Sequence, residues 1–199
     1  MSGTIAIAIL AAGEGSRFGG AKLDAPLRGL PLGRHALDAA LALGAGKPVL
    51  VVGDPAPRFA AEAAAEGLAD LILNPAASSG LGGSVALAAR HAAVAGAEGL
   101  LLLLADMPLV SAASLHLLAQ AAAPGRPAAT QHPDGRPGIP ACFPADFYER
   151  LQALAGNRQG AGALLRSEPG TRLLSLPEEE LADVDTPADL ARIATTCKA

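Results

Sequence analysis

The chain has 199 residues, 51% of them apolar but only 3% aromatic, so it is long enough for one full hydrophobic core, built mostly from Leu, Val, Ile and Ala. A net charge of −4 and a pI near 5.5 leave no basic face of the kind a duplex-binding protein carries, and no nucleic-acid partner is expected. The two cysteines, Cys142 and Cys197, are far apart and in no C-x-x-C pair, which excludes a cysteine metal framework or disulfide scaffold and fits a reducing compartment.

In chain order, Ile5–Leu10 reads as a buried strand. No basic segment precedes it and it runs into a Gly-rich loop, so a signal peptide is not expected. A helix is predicted over Leu32–Leu43, and 47-KPVLVVGD-54 is a strand stopped by Gly53 and Pro55. Residues 57–67 read as a helix, 70-DLILN-74 as a short strand, and 80-GLGGSVALAARHAAVAG-96 as a helix with a Gly-rich start. The run 99-GLLLLLAD-106 is a buried strand, followed by a helix over 111–122 with Ser111 as N-cap. Pro and Gly across 124–140 suggest loops and short strands. Helices follow over 144–155 and 160–167, then a strand over 172–176 and a helix over 187–195. Strands alternating with helices imply an α/β architecture, a mostly parallel twisted sheet with helices on both faces and right-handed crossovers. No repeat or linker divides the chain, so a single domain over 1–199 is expected. The apolar run 99–105 is far short of the ~20 residues of a membrane helix. No membrane partner is expected, and a cytoplasmic location is.

The loop 10-LAAGEGSRFGGAKLD-24 follows the first strand. In open α/β sheets ligands bind beyond the carboxyl ends of the strands. Glycines there let the backbone and its N–H groups approach an anion. Two familiar phosphate loops do not fit. Gly13, Gly15 and Gly19 are one residue too widely spaced for G-x-G-x-x-G, and the Gly15/Gly20 spacing of a Walker loop meets Ala21 where its lysine belongs, with Lys22 one place late and Leu23 offering no hydroxyl.

The pattern L-A-A-G-x-x-S-R-F-G-x-x-K resembles the signature loop of the MobA-like nucleotidyltransferases, which include the molybdenum cofactor cytidylyl- and guanylyltransferases. The resemblance implies a Rossmann-like nucleotidyltransferase fold. It also implies a loop that wraps the triphosphate and the start of the base, with Leu10, Ala11, Ala12, Gly13, Ser16 and Lys22 as nucleotide-binding positions and Arg17 and Lys22 stabilising charge on the phosphates.

The stretch 105-ADMPLV-110 resembles the family's magnesium-binding motif, which makes Asp106, at the end of five leucines, the metal ligand; read by itself, the same carboxylate is as well explained as the cap of the turn before Pro108. Near the C-terminus 183-DVDTPADL-190 resembles a second family element, with Asp185 as a further ligand. Thr186 and Pro187 also make a good N-cap and first helical residue. Asp183 and Asp189 read as solvated or dipole-favourable acids. Asn74 and 78-SSGLGGSV-85 resemble the segment near base and ribose, through Gly80, Leu81 and Ser84, although Ser84 read locally is an N-cap. The stretch 138-GIPACF-143 resembles an acceptor-side element, in which Cys142 reads as a buried apolar residue. His35, His91, His116 and His132 show no ligand spacing.

One element departs from the family pattern. Where cytidylyl-type relatives carry L-x-G-D-x-G-A-R-x-L-L, this chain has 154-LAGNRQGAGALL-165: Asn157 replaces the acid, one residue is inserted, and Gly162 replaces the basic residue, with Arg158 or Arg166 nearby. The resemblance implies transfer of CMP from CTP to the terminal phosphate of molybdenum-loaded molybdopterin, with Mg²⁺, and a molybdenum hydroxylase as partner. A GTP user, a different phosphorylated acceptor, and a nucleotide-binding accessory protein without turnover stay open.

Overall fold

The computed structural model describes residues 4–13 and 15–195; Cys197 lies outside them. The elements in order are β1 (Ile5–Ala11), β2 (Pro26–Leu27), β3 (Leu30–Pro31), α1 (Leu32–Ala42), β4 (Val49–Val52), α2 (Arg58–Ala65), β5 (Asp70–Leu73), α3 (Leu81–Val94), β6 (Gly99–Leu104), α4 (Ala112–Ala121), β7 (Ala128–Gln131), β8 (Pro137–Pro144), α5 (Tyr148–Gln152), α6 (Ala161–Ser167), β9 (Arg172–Leu174) and α7 (Pro187–Thr195).

Seven strands form one sheet in the order β5-β4-β1-β6-β8-β7-β9. β1 pairs in parallel with β4 and β6, and β4 with β5. The carboxyl ends of these four strands therefore share one edge. β8 runs antiparallel to β6 and β7, and β9 is parallel to β7.

Side chains on a strand alternate between faces, and β1 and β6 show it. Ile7, Ile9, Leu101 and Leu103 enter a core with Leu37 of α1, Phe59 of α2 and Leu115 of α4. Ala8, Leu10, Leu100 and Leu102 enter the opposite core with Val85 and Ala89 of α3 and Leu151 of α5. The continuous apolar runs of these strands follow from burial on both faces.

Three details differ from the sequence-based expectation. The hairpin β2–β3 is too short for any periodicity to reveal; its turn residues Arg28 and Gly29 both have positive φ, 52° and 85°, as a type I′ turn requires, and the Arg28 guanidinium donates to the Ile193 carbonyl at 2.9 Å. The helix expected over 144–155 is broken up: β8 continues to Pro144, a 3₁₀ turn covers Ala145–Phe147, and only Tyr148–Gln152 is α-helical. Tyr148 anchors that start, its buried hydroxyl donating to the Ala97 carbonyl at 3.0 Å. β9 stops at Leu174 rather than running to residue 176.

Two caps match their sequence signals. The Ser111 hydroxyl accepts from the Ser114 N–H at 3.1 Å. At α7, the Thr186 hydroxyl accepts from the Asp189 N–H at 3.2 Å while the Asp189 carboxylate accepts from the Thr186 N–H at 2.9 Å, a reciprocal capping box. The Thr186 hydroxyl, Arg192 and the Thr186 N–H hold the Asp189 carboxyl down at about 2. A carboxyl depressed on folding stabilises the fold above the ordinary carboxylate range, and that contribution is lost as pH falls through the folded value. Thermal melts of Asp189→Asn should therefore lie below the parent at neutral pH and converge with it near pH 2; a gap of equal size at both pH values would mean that the carboxylate charge is not what caps α7.

Candidate active site

The shared edge of β1, β4, β5 and β6 gathers the residues the sequence singles out. Beyond it lies a cavity of about 440 Å³ between Ala11–Gly13, Lys22–Asp24, Gly53–Pro57 and Asn74–Pro75. A second cavity of about 300 Å³ adjoins it, lined by Leu10–Gly13, Lys22, Gly80, Leu81, Ser84 and Asp106.

Lys22 is the centre of the charge arrangement. Its ammonium donates to Asp106 at 2.7 Å and to Asp185 at 3.5 Å. Arg17 pairs with the other oxygen of Asp185 at 2.8 Å. The Lys22 side chain is 10% exposed and that of Arg17 74%. Asp106 stands just past β6, beside β1. Asp185 is brought there by the main chain, since the Val184 N–H donates to the Asp106 carbonyl at 3.0 Å. The carboxylates lie 79 residues apart in sequence (185 − 106), yet meet at one ammonium. Asp183 is exposed, as expected, and its carboxyl is pushed above the ordinary range by partial desolvation and then by the charges of Asp185 and Asp106.

The Gly-rich loop folds on itself: the N–H groups of Phe18, Gly19 and Gly20 all point at the Gly15 carbonyl, at 2.9, 3.2 and 3.4 Å, and Phe18 packs on the core. Those amides already have an acceptor, and the loop's strongest anion-binding groups are Arg17 and Lys22. Ser16 is exposed on this turn and lines neither cavity.

Ser84 is not an N-cap. α3 begins at Leu81 behind Gly80, whose φ is +117°, and Ser84 is buried one turn inside the helix. Its hydroxyl accepts from the buried Asn74 side-chain amide at 2.9 Å, while Asn74 Oδ1 accepts from the Ala76 N–H at 3.0 Å. Asn74 and Ser84 thus form one partnered unit between the two cavities. Gly80 and Gly82 serve packing. A Cβ on Gly80 would lie 2.6 Å from the Arg158 Cα, and one on Gly82 would meet the carbonyl oxygens of Leu154 and Asn157. The Gly82 N–H donates to the Asn157 carbonyl at 3.0 Å, so the segment that departs from the family pattern sits directly on the start of α3.

The loop Gly53–Pro57 and Asp24 wall the larger cavity, and sequence reading gave neither a role. The placement of β4 beside β1 is the signal, because any loop after a neighbouring parallel strand opens onto the same edge. Cys142 is fully buried, and burial pushes its thiol up to about 12. The histidine rings that carry contacts meet backbone or local partners, His35 at the Leu27 carbonyl and His132 at that of Ile139. Among the described residues no three His, Cys, Asp or Glu side chains converge as a metal cage, and no helix is long and apolar enough to cross a membrane.

The model of the MobA-like NTP transferase domain matches residues 7–173. The chain belongs to this family. Solved structures share its fold. A nucleotidyl transferase from Methanothermobacter thermautotroptrophicus superposes with a TM-score of 0.79 at 23% identity, covering 96% of each chain. Rv0371c from Mycobacterium tuberculosis superposes at 0.78 with 25% identity over 98% of this chain and 100% of that one; its complex with manganese gives 0.71 at 24% identity and the same coverage. The molybdopterin-guanine dinucleotide biosynthesis protein A from Archaeoglobus fulgidus gives 0.68 at 22% identity, over 94% of this chain and 96% of that one. No curated protein matches significantly. The chain is a nucleotidyltransferase, an α/β enzyme of the MobA-like type.

The packing of α3 on the 154–158 segment is directly testable. Gly82→Ala should destabilise the protein by about 1–3 kcal/mol, the usual cost of forcing a methyl into filled space, because the new Cβ meets backbone that cannot rotate away. A denaturation midpoint equal to the parent's would show that the segment is not seated on α3.

Proposed function

We propose that the protein transfers CMP from CTP to the terminal phosphate of molybdenum-loaded molybdopterin, releasing pyrophosphate. The observation that carries this reading is the meeting of Lys22, from the L-A-A-G-x-x-S-R-F-G-x-x-K loop, with Asp106 at 2.7 Å on the rim of two adjoining cavities. The same reading assigns Leu10, Ala11, Ala12, Gly13, Ser16, Lys22, Asn74, Gly80 and Ser84 to the nucleotide. Ala12, in L-A-A-G rather than L-A-G-G, favours the cytidine user over the guanine user.

The donor set suits a magnesium ion. Asp106 and Asp185 are hard oxygen ligands that already converge on a cation, the Lys22 ammonium. Magnesium takes one or two carboxylates and completes its shell with water and substrate phosphates, so a three-residue cage is not needed. The manganese held by Rv0371c supports a divalent ion. Asp106 and Asp185 would hold it, and it would supply charge neutralisation at the phosphates.

The remaining chemistry falls to the chain. A phosphate monoester is largely ionised near neutral pH, its second pKa being about 6, so the acceptor oxygen attacks the α-phosphorus without a catalytic base. The Ala11–Gly13 backbone and the Asn74–Ser84 unit orient base and ribose. Arg17 and Lys22 turn from their carboxylates to phosphate oxygens and stabilise the charge that builds on pyrophosphate as it leaves. This explains a site rich in charge in which no Ser or Cys is paired with a His among the described residues. The setting is cytoplasmic, with a molybdenum hydroxylase as the partner that takes up the product.

Pyrophosphate release tests the reading, with magnesium, each triphosphate in turn and molybdenum-loaded molybdopterin. Turnover with CTP alone is the expected result. Turnover with GTP alone would replace the nucleotide assignment, and binding without turnover under any acceptor would point to an accessory role. Lys22→Ala and Asp106→Ala should each lower kcat about 10²-fold or more, as the loss of a charge-stabilising group usually does; rates within twofold of the parent would remove them from the site.

A further inference from the structure

The three residues at the end of the Gly-rich loop form one 3₁₀ turn, Lys22–Asp24, closed by the Asp24 N–H on the Ala21 carbonyl and the Ala25 N–H on that of Lys22 at 3.0 and 3.1 Å. Three residues per turn send successive side chains in three directions, and each here has its own anchor. Lys22 goes to Asp106 and Asp185. Leu23 is buried in the core. Asp24 reaches across to the start of α2, where its two carboxylate oxygens accept from the Arg58 and Phe59 N–H groups at 2.9 and 2.7 Å.

That last contact is unusual in its source. A helix normally takes its cap from the residue just before it, but here that residue is Pro57, which makes no side-chain cap. The cap arrives instead from 34 residues away. The receiving end is firm, because Phe59 is buried with its ring pressed against Gly33 of α1. The Gly53–Pro57 loop between β4 and this cap is a wall of the larger cavity. Asp24 therefore fastens the Lys22 turn and the facing wall to one fixed point.

We propose that Asp24 is a positioning residue of the nucleotidyl transfer, holding the Lys22 ammonium and the Gly53–Pro57 wall in one fixed geometry. It acts through Lys22 and the wall and touches no reacting atom. The proposal rests on the reading of this edge as the nucleotide site.

Two variants separate positioning from simple helix capping. Asp24→Ala removes both the cap and the tether. Adding Pro57→Ser gives α2 a local cap, with a hydroxyl able to accept a first-turn N–H, and leaves the tether absent. Per folded enzyme, Asp24→Ala should raise the KM for the triphosphate and lower kcat/KM roughly 10- to 100-fold, as small misplacements of a charged group do. The double variant should recover the parent's melting temperature but not its KM or kcat/KM, and its Asp24 and Ala25 positions should exchange amide hydrogen faster than the parent's while α2 stays protected. Recovery of both stability and kinetics in the double variant would reduce Asp24 to a cap and overturn the proposal, as would unchanged kinetics in Asp24→Ala. If the parent releases no pyrophosphate with any triphosphate, the functional reading fails; hydrogen exchange then decides on its own, and parent-like exchange at residues 24 and 25 of the double variant overturns the tether.

Discussion

An ammonium group largely withdrawn from water must be met by negative charge, and Lys22 is the point on which this molecule's architecture converges. Removing one of its carboxylate partners leaves that charge less fully compensated, which costs more than the pair itself contributes. Its partners come from the end of the central leucine strand β6 and from the segment before α7. The first loop, the sheet centre and the C-terminal region are thereby bound at one place, and the main-chain bond between Val184 and Asp106 sets the approach of the two carboxylates independently of side-chain rotamers.

The charges in this cluster cancel, Arg17 and Lys22 against Asp106 and Asp185. In the proposed reaction, a triphosphate entering it would bring negative charge that the two side-chain cations, already shared with carboxylates, do not offset alone. The carboxylates would then take a further cation, and a chain with a net charge of −4 would meet a polyanion through one local arrangement. A basic face would attract anions of every kind. A neutral cluster that takes a matched cation and anion together would be more selective.

Much of the sheet was legible because the signals are local and strong. Five leucines ending in Asp106 leave little choice but a buried strand with an acid at its rim, and Ser111 and Thr186 sit where capping chemistry requires them. The L-A-A-G-x-x-S-R-F-G-x-x-K pattern led to the family that the match over residues 7–173 establishes. What stayed hidden depends on contacts between distant segments. Ser84 has every local mark of a cap, and only the buried amide of Asn74 makes it a partner instead. The upward push on the Asp183 carboxyl comes from the partial desolvation and the neighbouring Asp185 and Asp106 charges that the folding of 183–185 onto Asp106 creates. Asp24 carries no motif at all, because its partners are backbone amides, which have no residue identity to read. The β2–β3 hairpin, with strands of two residues, offers no period to detect.

The seat of the 154–158 segment on α3 is made almost wholly of main-chain atoms: the carbonyls of Leu154 and Asn157, the Arg158 Cα, the Gly82 N–H and the bare Cα of Gly80. Of its side chains, Leu154 packs on the core beneath α3 and the Asn157 carboxamide accepts from the Gln159 N–H at 2.8 Å, which holds the turn. The Arg158 side chain makes none of these contacts, while a Cβ on either glycine would collide with the backbone above it. The outward positions of this segment can in this way vary, residue by residue, over an unchanged foundation.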